Sequence, residues 1–112
     1  MSRNRLASAR KAENICSYFL RENAYQVLSR NRKVAGVEID IIAQKIGPFG
    51  LEILLVECKY VTGSHRFFSR KQKRRYHYAA NFLQSNVKPG VSVGCMLIVV
   101  GCHEKVVESF YF

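Results

Sequence analysis

Four side chains between residues 36 and 60 could do chemistry together: Glu38, Asp40, Glu57 and Lys59. The first two lie in the run Val37-Glu38-Ile39-Asp40-Ile41-Ile42-Ala43. The other two end the run from Leu51 to Tyr60, and Gly47-Pro48-Phe49-Gly50 stands between the runs. That tetrapeptide is strong turn chemistry. A hairpin through it sets Asp40 across from the region of Glu57, on strands about 4.8 Å apart. Two carboxylates that close repel, and burial makes ionisation harder still. A divalent cation relieves both problems, and Mg²⁺ takes a few carboxylate oxygens together with water and substrate phosphate. The reading is a metal site for phosphodiester hydrolysis, held by Asp40, Glu57 and the main-chain carbonyl of Cys58. Lys59, two residues beyond Glu57 on the same strand face, could orient or help deprotonate an attacking water, or neutralise charge developing on the phosphate. A same-face Glu-x-Lys can equally be a plain ion pair. Asp40, inside an otherwise apolar strand, resists that explanation because an unpaired buried charge is expensive. Glu38 is either a further site acid or a solvent-facing residue at the strand edge.

The elements that must position these groups follow from periodicity. Strict alternation puts Val37, Ile39, Ile41 and Ala43 on one face, with Glu38, Asp40 and Ile42 on the other. In the next strand Leu54, Val56 and Cys58 face one way, and Ile53, Leu55, Glu57 and Lys59 the other. A helix is predicted from about Leu6 to Asn23, with Ala9, Ala12, Cys16, Phe19, Leu20 and Asn23 as its inward stripe. Glu13 borders that stripe: it is either a surface glutamate paired with a nearby base or a third carboxylate reaching the site. Tyr25 to Arg32 reads as the first strand, with Arg30, Arg32 and Lys33 at its basic end. Those residues serve either as phosphate contacts or as a charged edge.

Val61 to Ser69 is a predicted loop that carries His65 and the apolar pair Phe67-Phe68. Ser69 is a predicted N-cap for a second helix opening with Arg70-Lys71-Gln72-Lys73-Arg74-Arg75. The inward stripe of that helix is Gln72, Tyr76, Ala79, Ala80 and Leu83. Five positive charges near a helix N-terminus oppose one another and the helix dipole, so an anionic partner is favoured there. Phosphate contacts are assigned to Arg70, Lys71, Lys73 and Arg74, with Lys71 aimed at the scissile region and Tyr76 and Tyr78 available for stacking. Asn86 to Gly90 stops the helix. Val91 to Gly101 is a buried strand, and Val106 to Phe112 a short edge strand. The order α-β-β-β-α-β-β gives an α/β sandwich around a mixed sheet, because a hairpin pairs antiparallel and a crossover helix returns its strand in parallel.

Composition narrows the function. The 112 residues suit a single domain, 1–112, with one modest core, and no repeat or linker divides them. Lysine and arginine outnumber acids 18 to 8, for a formal charge of +10, which points to nucleic acid, a ribosome or another anionic partner. Acids are therefore scarce, and Glu13, Glu38, Asp40 and Glu57 gather near one site. Cys16, Cys58, Cys95 and Cys102 lack zinc-like spacing and sit among apolar residues, so all four read as reduced, buried thiols. No signal peptide is predicted, the longest apolar run is too short for a membrane span, and a cytoplasmic location is expected.

Helix acid, strand aspartate, Glu-x-Lys and basic helix occur here in an order that resembles the PD-(D/E)xK nuclease superfamily. More closely, the chain resembles the small YraN-like endonuclease-like family. The likeness is carried by Ala12-Glu13, Asn31-x-Lys33, Gly36-Val37-Glu38-Ile39-Asp40-Ile41-Ile42-Ala43, Val56-Glu57-Cys58-Lys59, Lys71 and Ala79-Ala80. The family's Gly-Glu-Ile-Asp appears here with one extra residue, Val37. The resemblance implies a restriction-endonuclease-like αβββαβ core with helices flanking the central sheet. It further implies Mg²⁺ or Mn²⁺ on Asp40 and Glu57, assistance to water from Lys59, and completion of the site by Glu13. Similarity to archaeal Holliday-junction resolvases implies branched or structured DNA as the substrate class, RNA being the alternative, and suggests a homodimer. Two other functions fit the same residues. One is a non-catalytic nucleic-acid-binding protein on a nuclease-like fold, and the other a ribosome-associated protein that uses only its basic surface.

Overall fold

The computed structural model describes residues 3–61 and 68–112, with side chains described from residue 9. The order is α1 (Arg3–Glu22), β1 (Gln26–Val34), β2 (Val37–Gly47), β3 (Gly50–Tyr60), α2 (Arg70–Asn86), β4 (Val91–Val100) and β5 (Val106–Tyr111). One five-stranded sheet runs β1-β2-β3-β4-β5, antiparallel except for the parallel pair β3/β4 that the α2 crossover joins. This is the α/β architecture with a mixed sheet and flanking helices that the periodicities predict. Among the described residues no helix is long and apolar enough to cross a membrane.

The two hairpins follow from their turn residues. Ala35 and Gly36 both have positive φ, the requirement of a two-residue type I′ turn joining β1 to β2. Gly47 pairs with Gly50 across Pro48-Phe49, and Gly50 takes φ +131°, closed to ordinary side chains. Helix α2 opens at Ser69, whose hydroxyl accepts from the Gln72 N–H at 3.1 Å, the expected N-cap.

Each sheet face carries its own core. Helix α1 covers one with Ala12, Cys16 and Leu20 against Ile41, Ala43, Leu54, Val56, Met96 and Ile98. Helix α2 covers the other with Tyr76, Ala79 and Ala80 against Val34, Val37, Ile39, Ile42, Leu55 and Cys95. Strand β4 is buried along its second half on both faces, as a strand covered by helices on each side must be.

Four expectations are corrected. Ala9 and Asn23 are exposed, so the buried stripe of α1 is shorter than predicted. Ser17 is buried in their place. Cys102 is exposed in the turn after β4, whereas Cys16 and Cys95 are buried as expected. Strand β2 does not keep one apolar face: Val37 and Ile39 pack with the α2 core, but Ile41 and Ala43 with the α1 core. The change of side falls at Asp40.

Candidate active site at the fork between β2 and β3

Strands β2 and β3 are paired from Gly47/Gly50 up to Ile41/Val56. Beyond that rung they part. Strand β2 continues beside β1, with Ile39 opposite Arg32 and Glu38 opposite Lys33, while β3 continues beside β4 from Glu57 to Tyr60. The next residues in the β2/β3 register are Asp40 and Glu57, so both acids sit where the sheet opens.

Side chains replace the missing rungs. Asp40 Oδ2 accepts the Cys58 N–H at 2.8 Å. The Tyr76 hydroxyl, from α2, lies between the strands: it accepts the Asp40 N–H and donates to the Val56 carbonyl, each at 3.3 Å. A residue's N–H and C=O leave the same edge of an extended strand. The Cys58 carbonyl therefore faces the opening on the side where its N–H meets Asp40.

A cavity of about 210 Å³ occupies the fork, lined by Val37, Glu38, Asp40, Glu57, Gln72, Arg75 and Tyr76. Glu57 is 7% exposed, and Gln72 Nε2 donates to its Oε1 at 3.4 Å. Lys59 Nζ lies 4.0 Å from the same oxygen, on the strand face predicted for both. Glu38 is exposed at the rim.

Burial works against the charge of both acids. Burial, then repulsion from Glu57, pushes the Asp40 carboxyl from 3.8 up to about 7, against the pull of the Cys58 N–H. Burial also raises Glu57, offset in part by Tyr76, Lys59, Asp40 and Gln72. The Tyr76 phenol is raised by burial and then by the two carboxylates, so it stays protonated and keeps its donor. On the α1 side the Cys58 thiol is raised by its contact with Cys16 and by burial, which makes it a packing group rather than a ligand. Two converging carboxylates with an open cavity beside a main-chain carbonyl suit Mg²⁺ or Mn²⁺, which keep several ligand positions for water and phosphate.

The remaining predicted residues divide. Glu13 reaches toward the fork from α1 and helps raise Asp40, but its Oε1 is held by Arg30 Nη2 at 3.3 Å and Asn31 Nδ2 at 2.9 Å. Among the described residues no three His, Cys, Asp or Glu side chains are grouped to hold a metal ion. Arg30 is further tied to Asn14 at 2.8 Å, whereas Arg32 and Lys33 are exposed. Arg70, Lys71 and Arg74 are exposed on α2, and Lys73 stands 5.7 Å over the Phe68 ring. Phe68 packs edge-on against Phe112 at 4.7 Å. His65 and Phe67 lie outside the described residues.

Sequence reasoning missed three groups. Arg75, not Lys71, is the basic residue of α2 that lines the cavity. Tyr76 is 2% exposed and cannot stack on a base; its hydroxyl holds the fork open instead. An aromatic at an inward helical position reads as core, and only an acid inside the facing strand hints that its hydroxyl is used. Asn31 has φ +54°, a conformation Asn tolerates, and this turn of the backbone brings its amide to Glu13 beside Arg30.

Glu13, Asp40 and Glu57-x-Lys59 stand on α1, β2 and β3, in the order of the PD-(D/E)xK pattern that the sequence resembles. Residues 12–101 match the uncharacterised protein family UPF0102. The chain belongs to that family, the nuclease-like YraN family. No curated protein matches it. Among solved structures, an XisH family protein from Nostoc punctiforme aligns over 89% of this chain and 98% of its own, with 9% identity and a TM-score of 0.48. Pyrococcus furiosus SfsA, in complex with Ca²⁺, aligns over 96% of this chain at 12% identity and a TM-score of 0.34, and this chain spans 62% of that protein.

Proposed function

We propose that the protein is a metal-dependent endonuclease that hydrolyses phosphodiester bonds in DNA. The observation that carries this reading is the fork itself, which turns Asp40 and Glu57 into one cavity with Lys59 beside them. Asp40, Glu57 and the Cys58 carbonyl would hold Mg²⁺ or Mn²⁺, which when bound supplies Lewis-acid stabilisation of charge on the scissile phosphate. Lys59 has an ammonium close enough to Glu57 to hold a water or a phosphate oxygen there. Glu13 adds negative potential at Asp40 and fixes Arg30 on the opposite face. Arg30, Arg32, Lys33, Arg70, Lys71, Lys73 and Arg74 would serve as phosphate contacts. Branched or structured DNA is the proposed substrate class, acted on by a homodimer.

A second reading, a non-catalytic nucleic-acid-binding protein on the same fold, is favoured by one observation. One oxygen of the Glu13 carboxylate is held by Arg30 and Asn31, which compete with a cation for it. A cleavage panel of linear, nicked, flapped and four-way DNA with Mn²⁺ separates the two. The endonuclease reading expects cutting by the wild type and none by Asp40→Ala or Glu57→Ala. Salt-dependent binding without cutting, unchanged in both variants, would establish the second reading instead.

A further inference from the structure

Helix α2 carries five arginines and lysines and no acid. Its residues Lys71, Arg75, Tyr78 and Phe82 succeed one another at steps of four, three and four, so they form one stripe along the helix. All four are exposed, Tyr78 by 62% and Phe82 by 49%. Arg75 lines the carboxylate cavity beside Val37 and Glu38. His77, on the other side of the helix, packs on Phe112. The stripe therefore passes the cavity at Arg75 and runs on along the side of α2 away from Phe112. Neither Lys71 nor Arg75 makes a salt bridge among the described residues.

We propose that this stripe is a track for one unpaired strand of nucleic acid leading past the cavity, an inference that rests on the protein acting on nucleic acid. Cations at the cavity end suit backbone phosphates, and aromatic faces further along suit bases. Spacing selects the single strand. Residues 78 and 82 are about 6 Å apart along the helix axis. Paired DNA stacks its bases about 3.4 Å apart, so bases laid on both rings have left their neighbours in the stack. A second copy of the chain is the other occupant for exposed aromatics. A symmetric contact of this helix with itself, however, would oppose cationic surface to cationic surface.

The test is fluorescence anisotropy on the full chain in EDTA, with labelled oligo(dT) and blunt duplex, each of about 20 units, a length sufficient for such grooves. Tyr78→Ala with Phe82→Ala should weaken oligo(dT) binding at least about tenfold and duplex binding less than about twofold. Tyr78→Phe with Phe82→Tyr should restore the wild-type value. Lys71→Ala with Arg75→Ala should weaken both probes. Thermal melts of these surface variants should match the wild type. Equal loss on both probes, or loss on neither, overturns the track. So does sedimentation showing a wild-type dimer that the double alanine variant dissociates. Wild-type protein that binds neither probe overturns the track, whereas the cleavage panel with four-way and flapped DNA decides the endonuclease reading. The predicted binding pattern in a protein that never cuts DNA would end only the catalytic reading, and the track would stand.

Discussion

Asp40→Asn should stabilise the metal-free protein above neutral pH. In the folded chain the Asp40 carboxyl titrates near 7 instead of 3.8, because burial and the neighbouring Glu57 disfavour its charge. Between those values the folded state holds a proton that the unfolded state has released. The proton count is higher in the folded form, so stability falls as pH rises through this window. The full displacement corresponds to about 4 kcal/mol once Asp40 is ionised, and the coupling to Glu57 makes about 2–4 kcal/mol the working range. Asparagine keeps an oxygen for the Cys58 N–H and carries no charge. At about pH 8 in EDTA its melting temperature should exceed that of the wild type by about 10 °C or more, converging below about pH 4. Mn²⁺ should then raise the wild-type melting temperature and leave the variant unmoved. Thermal unfolding across pH, with and without Mn²⁺, reads all three effects. A variant no more stable than wild type at about pH 8, or parallel pH profiles, would refute the reasoning that burial and Glu57 disfavour the Asp40 charge.

Three further outcomes follow from the site and its supports. Tyr76→Phe removes the hydroxyl between the Asp40 N–H and the Val56 carbonyl and should cost about 1–3 kcal/mol in denaturant unfolding. Lys59→Ala should leave Mn²⁺ affinity within a few-fold, measured by calorimetry, but reduce the cleavage rate at least about a hundredfold. Native protein treated briefly with a maleimide should be modified at exposed Cys102 and protected at buried Cys16 and Cys95, which mass spectrometry of peptides would read.

Much of this layout was legible in the residues. Strand β3 shows its faces plainly, because Leu54, Val56 and Cys58 alternate with Leu55, Glu57 and Lys59 without interruption. The Gly-Pro-Phe-Gly turn marks a hairpin, and its register leads to Asp40 and Glu57 as the next positions beyond the last rung. What stayed hidden depends on departures from regular structure. Alternation cannot reveal that β2 changes its apolar side at Asp40, since that change comes with the opening of the sheet. Nor does spacing show that Asn31 takes positive φ, or that Arg30 is used against Glu13 instead of remaining free. Helical periodicity placed Gln72 and Tyr76 inward correctly. Their polar ends were hidden because only the facing strand decides what those ends meet.

The most direct measurement is anomalous diffraction from a crystal grown with Mn²⁺. One peak is expected in the fork, within coordinating distance of Asp40, Glu57 and the Cys58 carbonyl, and no peak there in Asp40→Ala. A wild-type fork that stays empty at saturating Mn²⁺, or a peak bound only elsewhere on the protein, would contradict it.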